Sequence, residues 1–186
     1  MVMELAPDGT LFNLIKNKQT LGEAEVALYM SQIASAVAYL HDKTPPILHR
    51  DLKPENILMV KDQVKICDFG WSNTDNENEI RNTFCGTPDY LSPEMITGTG
   101  HNEKLDVWTL GVLMFEMLTG TPPFSAPKGI KDRRLKQKII EDNVLKGNLN
   151  YPDSLSNEAK SAIKIILNPN PNLRPYAKDI KNLEFF

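Results

Sequence analysis

Apolar residues in the first quarter of the chain follow the period of an α-helix. Between residues 22 and 42 they recur at steps of three and four and so share one face of a long helix: Val26, Tyr29, Ile33, Val37 and Leu40. Pro45 and Pro46 follow and stop this helix. Residues 11–18 predict a shorter helix, preceded at 1–10 by an extended segment that closes on the turn signal Pro-Asp-Gly.

Two short apolar runs in the middle of the chain predict a β-hairpin. Residues 57–60 and 64–67 have the composition of strands and are joined by residues 61–63. Residues 71–91 then show no periodicity and predict a long loop. Loops of that length in compact domains are usually functional or disordered.

The second half of the chain predicts a core of helices. Residues 104–119 are apolar on nearly every side and end at Gly120, a pattern typical of a helix in the centre of a domain. Three further helices are expected at 132–146, 157–167 and 176–183. Ser156 can cap the second of these, and Pro175 suits the first turn of the third. The predicted fold is mainly α with a short β-hairpin.

The composition is that of an ordinary globular domain. The 186 residues carry a net charge of −3 and 41% are hydrophobic, so nothing indicates a nucleic-acid or membrane-surface partner. Cys67 and Cys85 do not form a C-x-x-C pair, which argues against a disulfide framework and favours a reducing, intracellular setting. The first residues do not have the pattern of a signal peptide. The longest apolar stretch, 107–118, is too short to span a bilayer.

Two short motifs carry the chemistry. Residues 49–56 read H-R-D-L-K-P-E-N and residues 68–70 read D-F-G, in the order and form of two catalytic signatures of protein kinases. The predicted hairpin lies between them and would bring Asn56 and Asp68 together. An amide oxygen and a carboxylate so placed can share Mg²⁺, a hard cation that takes oxygen ligands and keeps contact with phosphates.

Within these motifs, Asp51 would orient a substrate hydroxyl and accept its proton, and Lys53 would stabilise charge on the transferred phosphoryl group. An isolated Asp or Asn near a strand end is more often a cap or turn residue. That alternative is disfavoured for Asp51, Asn56 and Asp68, because all three lie within two motifs that follow each other in the expected order. For His49, packing and hydrogen bonding are favoured over a role as catalytic base, and for Phe69 packing is favoured.

The chain resembles the protein kinase family along essentially its whole length, and the resemblance implies further roles. Residues 85–94 read C-G-T-P-D-Y-L-S-P-E and resemble the end of a kinase activation segment. Glu94 would form a buried ion pair with Arg174, whose loss would strand the other charge. Thr87 would lie near the catalytic Asp51 and favour Ser or Thr over Tyr as the acceptor.

Thr83 is the natural phosphosite of this segment. A phosphate there would add roughly −1.5 to −2 charges facing Arg50 and could order the loop through charge-assisted hydrogen bonds. The alternative is a solvated loop threonine.

Within the family the chain is most similar to Aurora-type Ser/Thr kinases. Three stretches carry this similarity, namely D-F-G-W-S at 68–72, residues 85–91, and H-N-E-K-L-D at 101–106. Pro88 and Ser92 depart from the typical Aurora pattern. Asp106 begins a stretch that resembles the central helix anchoring the large kinase lobe.

Residues 3–9, M-E-L-A-P-D-G, resemble the hinge between kinase lobes and imply an ATP site. The backbone of Glu4 and Ala6 would hydrogen-bond adenine. Thr10 would lie near the ribose, and Leu58 would form the floor of the base pocket. The alternative for Leu58 is a plain core position, which is the more frequent role of a leucine on a strand.

The resemblance implies a partial protein kinase domain over 1–186. A hinge at 1–10 precedes a large α+β lobe at 11–186, and the small β-rich lobe is absent. The sequence has no G-x-G-x-x-G loop and no V-A-I-K-like lysine before the hinge. Since an active kinase needs that lysine, we expect this chain alone to bind ATP poorly and to transfer phosphate negligibly.

Three interpretations stay open at this level. The favoured one is the large lobe of an active Ser/Thr kinase, recorded from a truncated sequence. The others are a non-catalytic lobe that serves as a binding module or scaffold, and a lobe completed by another chain.

The expected partners are protein substrates with Ser or Thr, and regulatory partners cannot be named. Glu55 would favour a basic residue upstream of the acceptor. Aurora-type kinases act at spindles and chromosomes, so the resemblance implies the cytoplasm or nucleus.

Residues 125–150 depart further from the family pattern. Six cations crowd into a stretch there that looks longer than usual for the family, namely Lys128, Lys131, Arg133, Arg134, Lys136 and Lys138. A solvated helix face is the favoured interpretation, and a docking surface is the alternative.

Overall fold

The computed structural model describes residues 4–70, 72–74 and 88–186. The helices in this part of the chain are α1 (Leu11–Lys18), α2 (Glu23–His41), α3 (Pro93–Thr97), α4 (Lys104–Thr119), α5 (Arg133–Lys146) and α6 (Asn157–Ile166). The strands are β1 (Ile47–Leu48), β2 (Ile57–Val60), β3 (Gln63–Ile66) and β4 (Asn73–Thr74). Short 3₁₀ segments lie at Pro54–Asn56, Pro88–Tyr90, Pro171–Leu173 and Ala177–Asn182. The mainly α fold class is confirmed.

The long helix predicted at 22–42 is confirmed as α2. The apolar face read from its period is buried at Val26, Tyr29, Ile33 and Val37 and half-buried at Leu40. This face packs against α4, β3 and the 3₁₀ segment at 177–182. Two glutamates in its first turn complement the positive end of the helix dipole.

The central helix predicted at 104–119 is confirmed as α4, and nearly all of its residues are buried. Gly111 permits α6 to approach it closely, since a Cβ at this position would come within 2.7 Å of Leu167. Gly120 ends the helix with a φ of 78°, and a side chain there would collide with the backbone of Gln19. Both glycines are therefore required by close contacts of the fold.

The remaining helices agree with the sequence except at the C-terminal end. α1, α5 and α6 match their predicted ranges to within one residue, and Ser156 caps α6 by accepting from the Ala159 N–H at 3.0 Å. The helix predicted at 176–183 is instead a 3₁₀ segment. The prediction for Pro175 was wrong, because the backbone stays extended through Tyr176 and the segment begins only after it.

The helix α3 was not predicted, because five residues are too few to show a period. Its local signals were present in the sequence. Ser92 accepts from the Met95 N–H at 3.3 Å, and Pro93 occupies the first helical position.

The predicted hairpin is confirmed as the antiparallel pair β2–β3, with Ile57 opposite Ile66. The second strand lies one residue earlier than predicted, which leaves Cys67 beyond its end. β1 pairs with β4, so part of the stretch predicted as a loop at 71–91 is a strand. Within the described ranges, none of the helices combines the length and apolar character that crossing a membrane requires.

Candidate functional site

The β2–β3 hairpin brings the two sequence motifs together. Ile57 faces Ile66 in the ladder, and the Cys67 N–H continues it by donating to the Asn56 carbonyl at 2.9 Å. Asp68 is the next residue along the chain. Asn56 and Asp68, which are distant in sequence, therefore leave the same end of one hairpin.

A short 3₁₀ turn at Pro54–Asn56 aims the Asn56 side chain back at the preceding loop. Its Nδ2 donates to the Asp51 carbonyl at 2.8 Å and to Asp51 Oδ2 at 2.9 Å. Lys53 Nζ lies 3.0 Å from Oδ1 and 2.9 Å from Oδ2 of the same carboxylate. Asp51 is buried, at 7% exposure, so amide and ammonium donors replace the water that its charge has lost.

His49 is a buried connector between the two motifs. Its Nδ1 accepts from the Asp51 N–H at 3.3 Å, and its Nε2 lies 3.1 Å from the Cys67 carbonyl oxygen. Because a carbonyl only accepts, these partners assign the proton to Nε2. The Phe69 ring packs edge-on against the imidazole, with centroids 4.9 Å apart. These are the contacts of a residue that positions its neighbours.

Asp106 anchors the start of the 49–56 motif from the first turn of α4. Its Oδ2 accepts from the His49 N–H at 2.9 Å and its Oδ1 from the Arg50 N–H at 2.8 Å. His41, at the end of α2, places Nε2 2.8 Å from Oδ2. The carboxylate is fully buried, and it holds Arg50 at a φ of 69°. His41 is a site residue that the sequence analysis missed, because its partner lies in another helix.

Asp68 is exposed at the open end of the hairpin, in contrast to Asp51. Its backbone has a positive φ of 63°, which non-glycine residues seldom adopt. The Gly70 N–H donates to its Oδ1 at 3.2 Å. The carboxylate is thus oriented and still accessible to a ligand.

The oxygen donors of this site fit Mg²⁺. Asn56 uses its amide nitrogen on Asp51, which leaves its amide oxygen as the atom suited to a cation. Asp68 adds an accessible carboxylate from the neighbouring position. Two side-chain ligands match an ion that is usually held by one or two protein groups together with water and substrate phosphates.

Glu94 and Arg174 form the buried ion pair that the resemblance implied. Arg174 donates from Nη1 to Glu94 Oε1 at 2.6 Å and from Nη2 to Oε2 at 2.8 Å. Its remaining donors reach the carbonyls of Asn168, Lys104 and Pro169 at 2.7 to 3.2 Å. Every arm of the guanidinium is used, which is the condition for a charge to be tolerated in a core.

Tyr90 and Glu116 form a further, partly buried contact, which the sequence analysis missed. The Tyr90 hydroxyl donates to Glu116 Oε2 at 2.5 Å. Burial, with the nearby Glu116 carboxylate, raises the pKa of Tyr90 well above its usual 10.0. Burial also raises the pKa of Glu116; Glu55 and Asp89 add to this increase, and the hydrogen bond from Tyr90 opposes it.

The residues assigned to the nucleotide site lie in the segment before α1 and on β2. Glu4 is exposed and pairs with Lys65 at 2.6 Å. Thr10 bridges to Leu58 through the backbone, while its hydroxyl caps α1 by accepting from the Asn13 N–H at 3.3 Å. Leu58 is half-buried, on the opposite face of β2 from the buried Ile57. Ala6 is half-buried.

Several predicted positions lie outside the described residues. They are the acceptor-selecting Thr87, the phosphosite Thr83, and Trp71 and Cys85 of the Aurora-like stretches.

Comparison with known proteins gives a consistent set of relatives. A family model described as protein kinase domain matches residues 1–186. An Aurora kinase from Eremothecium gossypii is 39% identical over 97% of this chain and 47% of its own length. Aurora kinase A-B from Xenopus laevis is 40% identical over 94% of this chain and 40% of its own length.

A second group of relatives carries a different name. Serine/threonine-protein kinase AtPK1/AtPK6 from Arabidopsis thaliana is 38% identical over 100% of this chain and 39% of its own length. The chain therefore spans less than half the length of each of these three relatives.

Proposed function

Because this chain belongs to the protein kinase family, with Aurora-type Ser/Thr kinases among its relatives, we propose that it acts as the large lobe of a Ser/Thr protein kinase. The reaction is transfer of the γ-phosphate of ATP to Ser or Thr hydroxyls of proteins. Residues 1–10 would form the hinge and residues 11–186 the lobe. The proposal concerns the whole kinase, of which this chain would be one part.

The single observation that supports this function best is the convergence of Asp51, Asn56 and Asp68 at one end of the hairpin. The Cys67–Asn56 backbone bond brings the last two together, and the Asn56 side chain bonds directly to Asp51. Phosphoryl transfer depends on positioning and charge neutralisation rather than on covalent chemistry. A rigid cluster with one buried and one accessible carboxylate meets that need.

Asp51 would receive the proton of the acceptor hydroxyl. Its carboxylate is fixed by Asn56 and Lys53, so it presents one geometry to an incoming hydroxyl. The Lys53 ammonium lies beside it, where it would also stabilise charge on the transferred phosphoryl group. A charge contact of this kind contributes on the order of 3–4 kcal/mol to transition-state stabilisation.

The amide oxygen of Asn56 and the carboxylate of Asp68 would hold Mg²⁺. When bound, this ion neutralises negative charge on the phosphate oxygens of ATP. The positive φ of Asp68 and the hydrogen bond from the Gly70 N–H preset the direction of its carboxylate. The protein's contribution is therefore a prearranged pair of ligands.

ATP would lie along β2 and the preceding segment. The backbone of Glu4 and Ala6 would bond adenine, and the half-buried Leu58 would form the floor beneath the base. The part of Thr10 near the ribose would be its backbone, because its hydroxyl caps α1.

Substrates with a basic residue upstream of the acceptor would be favoured. Glu55 is exposed beside the catalytic loop, and its charge acts on Glu116 together with that of Asp89. Three carboxylates near one another attract a cation, and an arginine placed among them would lower the raised pKa of Glu116. This acidic group is what supports a preference for basic sequences.

Regulation and location follow the family expectation. Phosphorylation of Thr83 would add charge facing Arg50, and Thr87 would favour Ser or Thr acceptors. An Aurora-like role at spindles or chromosomes would place the protein in the cytoplasm or nucleus.

The test is phosphorylation of a basic Ser/Thr peptide by the protein made from the full-length gene. Asp51→Asn and Asp68→Asn should each reduce kcat by about 10²- to 10³-fold. Asp153→Asn, which makes the same change at an exposed turn, should retain wild-type turnover.

Two results would reject the proposal. Equal turnover in Asp51→Asn, Asp68→Asn and Asp153→Asn would remove the assigned roles. A wild-type protein that folds but shows no turnover with any Ser/Thr peptide would favour a non-catalytic binding lobe.

A further inference from the structure

The segment between residues 128 and 138, here called the basic segment, concentrates positive charge on the surface. All six of its cations are exposed: Lys128, Lys131, Arg133, Arg134, Lys136 and Lys138. The chain as a whole is negative, at −3, so this charge is local. The one acid among them, Asp132, is used as the N-cap of α5, where it accepts from the Arg134 N–H at 2.9 Å.

Ion pairing distinguishes the basic segment from other charged parts of the surface. Among the residues that the structure describes, none of the six forms an ion pair within 4.0 Å. This contrasts with Lys18, which pairs with Glu25 at 2.9 Å on another surface. Their charge is therefore available to a ligand.

The position of these cations also opposes the stability of α5. No acidic residue lies in the first turn of this helix, while Arg133, Arg134, Lys136 and Lys138 fall in its first half. The N-terminal end of a helix carries partial positive charge, so cations there are unfavourable. They also repel one another. Helix stability does not explain why they are present.

Leucine side chains add an apolar component to the same helix. The core side of α5 is defined by the buried Ile140 and Val144. At 100° per residue, Leu135 and Lys138 lie on the side away from these two. Leu135 is 49% exposed, and Leu145 is 46% exposed toward the other end.

The helix that carries this surface packs against a segment that contributes Asp89 to the proposed substrate site. α5 packs against α3 and against the Pro88–Tyr90 segment, which carries the tyrosine bonded to Glu116. Asn143 of the same helix donates to the Phe124 carbonyl at 3.2 Å. A polypeptide bound near the catalytic loop could therefore extend onto α5.

We propose that the basic segment and the outer face of α5 bind an acidic, leucine-containing segment of a partner protein. The cations would attract its carboxylates, and Leu135 would contact its apolar side chains. A nucleic acid fits less well, because residues 125–150 contain no aromatic side chain on which a base could stack. The proposal concerns binding and stands apart from the kinase activity.

The experiment measures fluorescence anisotropy of a labelled peptide of alternating Leu and Glu, titrated with the intact chain. A peptide of about eight residues is long enough, because α5 spans about 21 Å and an extended chain covers about 3.3 Å per residue. The test variant is Arg134→Gln with Lys138→Gln. The control is Lys164→Gln with Lys181→Gln, which removes two exposed cations elsewhere.

The wild-type chain and the control should bind the peptide with similar Kd at low salt, and the test variant about 3- to 10-fold more weakly. Binding should fall as ionic strength rises toward 0.5 M, where the Debye length is about 4 Å. The test variant should melt no lower than the wild type, since it loses only unfavourable charge. Weaker binding therefore cannot be attributed to unfolding.

Three outcomes would overturn the proposal. The first is no peptide binding by the wild-type chain at low salt. The second is an equal loss of binding in the test variant and the control. The third is tighter binding of a single-stranded oligonucleotide of matched charge, which would identify a nucleic-acid surface instead.

Discussion

Arg174 and the cations of the basic segment carry the same charge in opposite surroundings. Arg174 is buried, at 2% exposure, and donates to Glu94 and to three carbonyls. The six cations between 128 and 138 are exposed and, within the described residues, have no carboxylate partner. The buried ion pair stabilises the fold, whereas the exposed cations can bind a ligand.

The difference shows that the partners of a charged residue, rather than its residue type, indicate its role. A buried charge without partners would be expelled or neutralised, so Arg174 can remain only with its full set of acceptors. Water solvates an exposed charge at little free-energy cost, so the cations of the basic segment do not need carboxylate partners in order to stay charged. Exposed, unpaired charge is then a reason to look for a ligand.

The largest expected effect is the loss of the buried pair. Arg174→Gln should lower the free energy of unfolding by about 3–5 kcal/mol, because Glu94 would be left buried and unpaired. Arg134→Gln makes the same chemical change at the surface and should alter it by less than about 0.5 kcal/mol. Urea denaturation of both variants gives the comparison, and similar losses in the two would contradict it.

An intermediate effect is expected from the buried phenol of Tyr90. Its raised pKa means that the folded chain keeps this proton after the unfolded chain begins to lose it near pH 10. The free energy of unfolding should therefore fall above pH 10, by up to about 1.4 kcal/mol per pH unit for this group. Burial also raises the pKa of Tyr29, to about 12, so this residue contributes to the same slope.

The matching measurement is the pH dependence of unfolding between pH 9 and 12 in Tyr90→Phe. This variant should show a shallower alkaline decline than the wild type, with the remaining slope due partly to Tyr29. Tyr39→Phe, at a ring that is 64% exposed, is the surface control for the substitution itself. Parallel curves for the wild type and Tyr90→Phe would refute the role assigned to burial.

The smallest expected effect is a difference in the stability lost when either of two helix N-caps is removed. Asp132→Ala and Ser156→Ala each remove the acceptor of first-turn N–H groups, a loss of about 1 kcal/mol. Asp132 also offsets the cations of the basic segment, so its removal should be the more harmful by a few tenths of a kcal/mol. Thermal unfolding at low and high salt checks this, since the excess should vanish on screening. An excess that persists at high salt would show that repulsion is not its cause.

The main helices and the candidate site at the end of the hairpin could be predicted from local patterns. Helices α1, α2 and α4 were placed to within one residue. Apolar periodicity indicated the buried face of α2, and apolar residues on nearly every side indicated that α4 is central. The pair Asn56 and Asp68 followed from a hairpin, which is itself a local structure. Glu94 and Arg174 were paired only through the family resemblance, since nothing local connects them.

The contacts between elements far apart in the chain could not be predicted from the linear pattern of residues. The His41–Asp106 contact, the Tyr90–Glu116 hydrogen bond and the anchoring of the loop amides by Asp106 required helices to be placed against one another. Periodicity tells which side of an element is buried, but it does not tell which partner lies there. That choice depends on packing among all the elements at once, which only the folded arrangement decides.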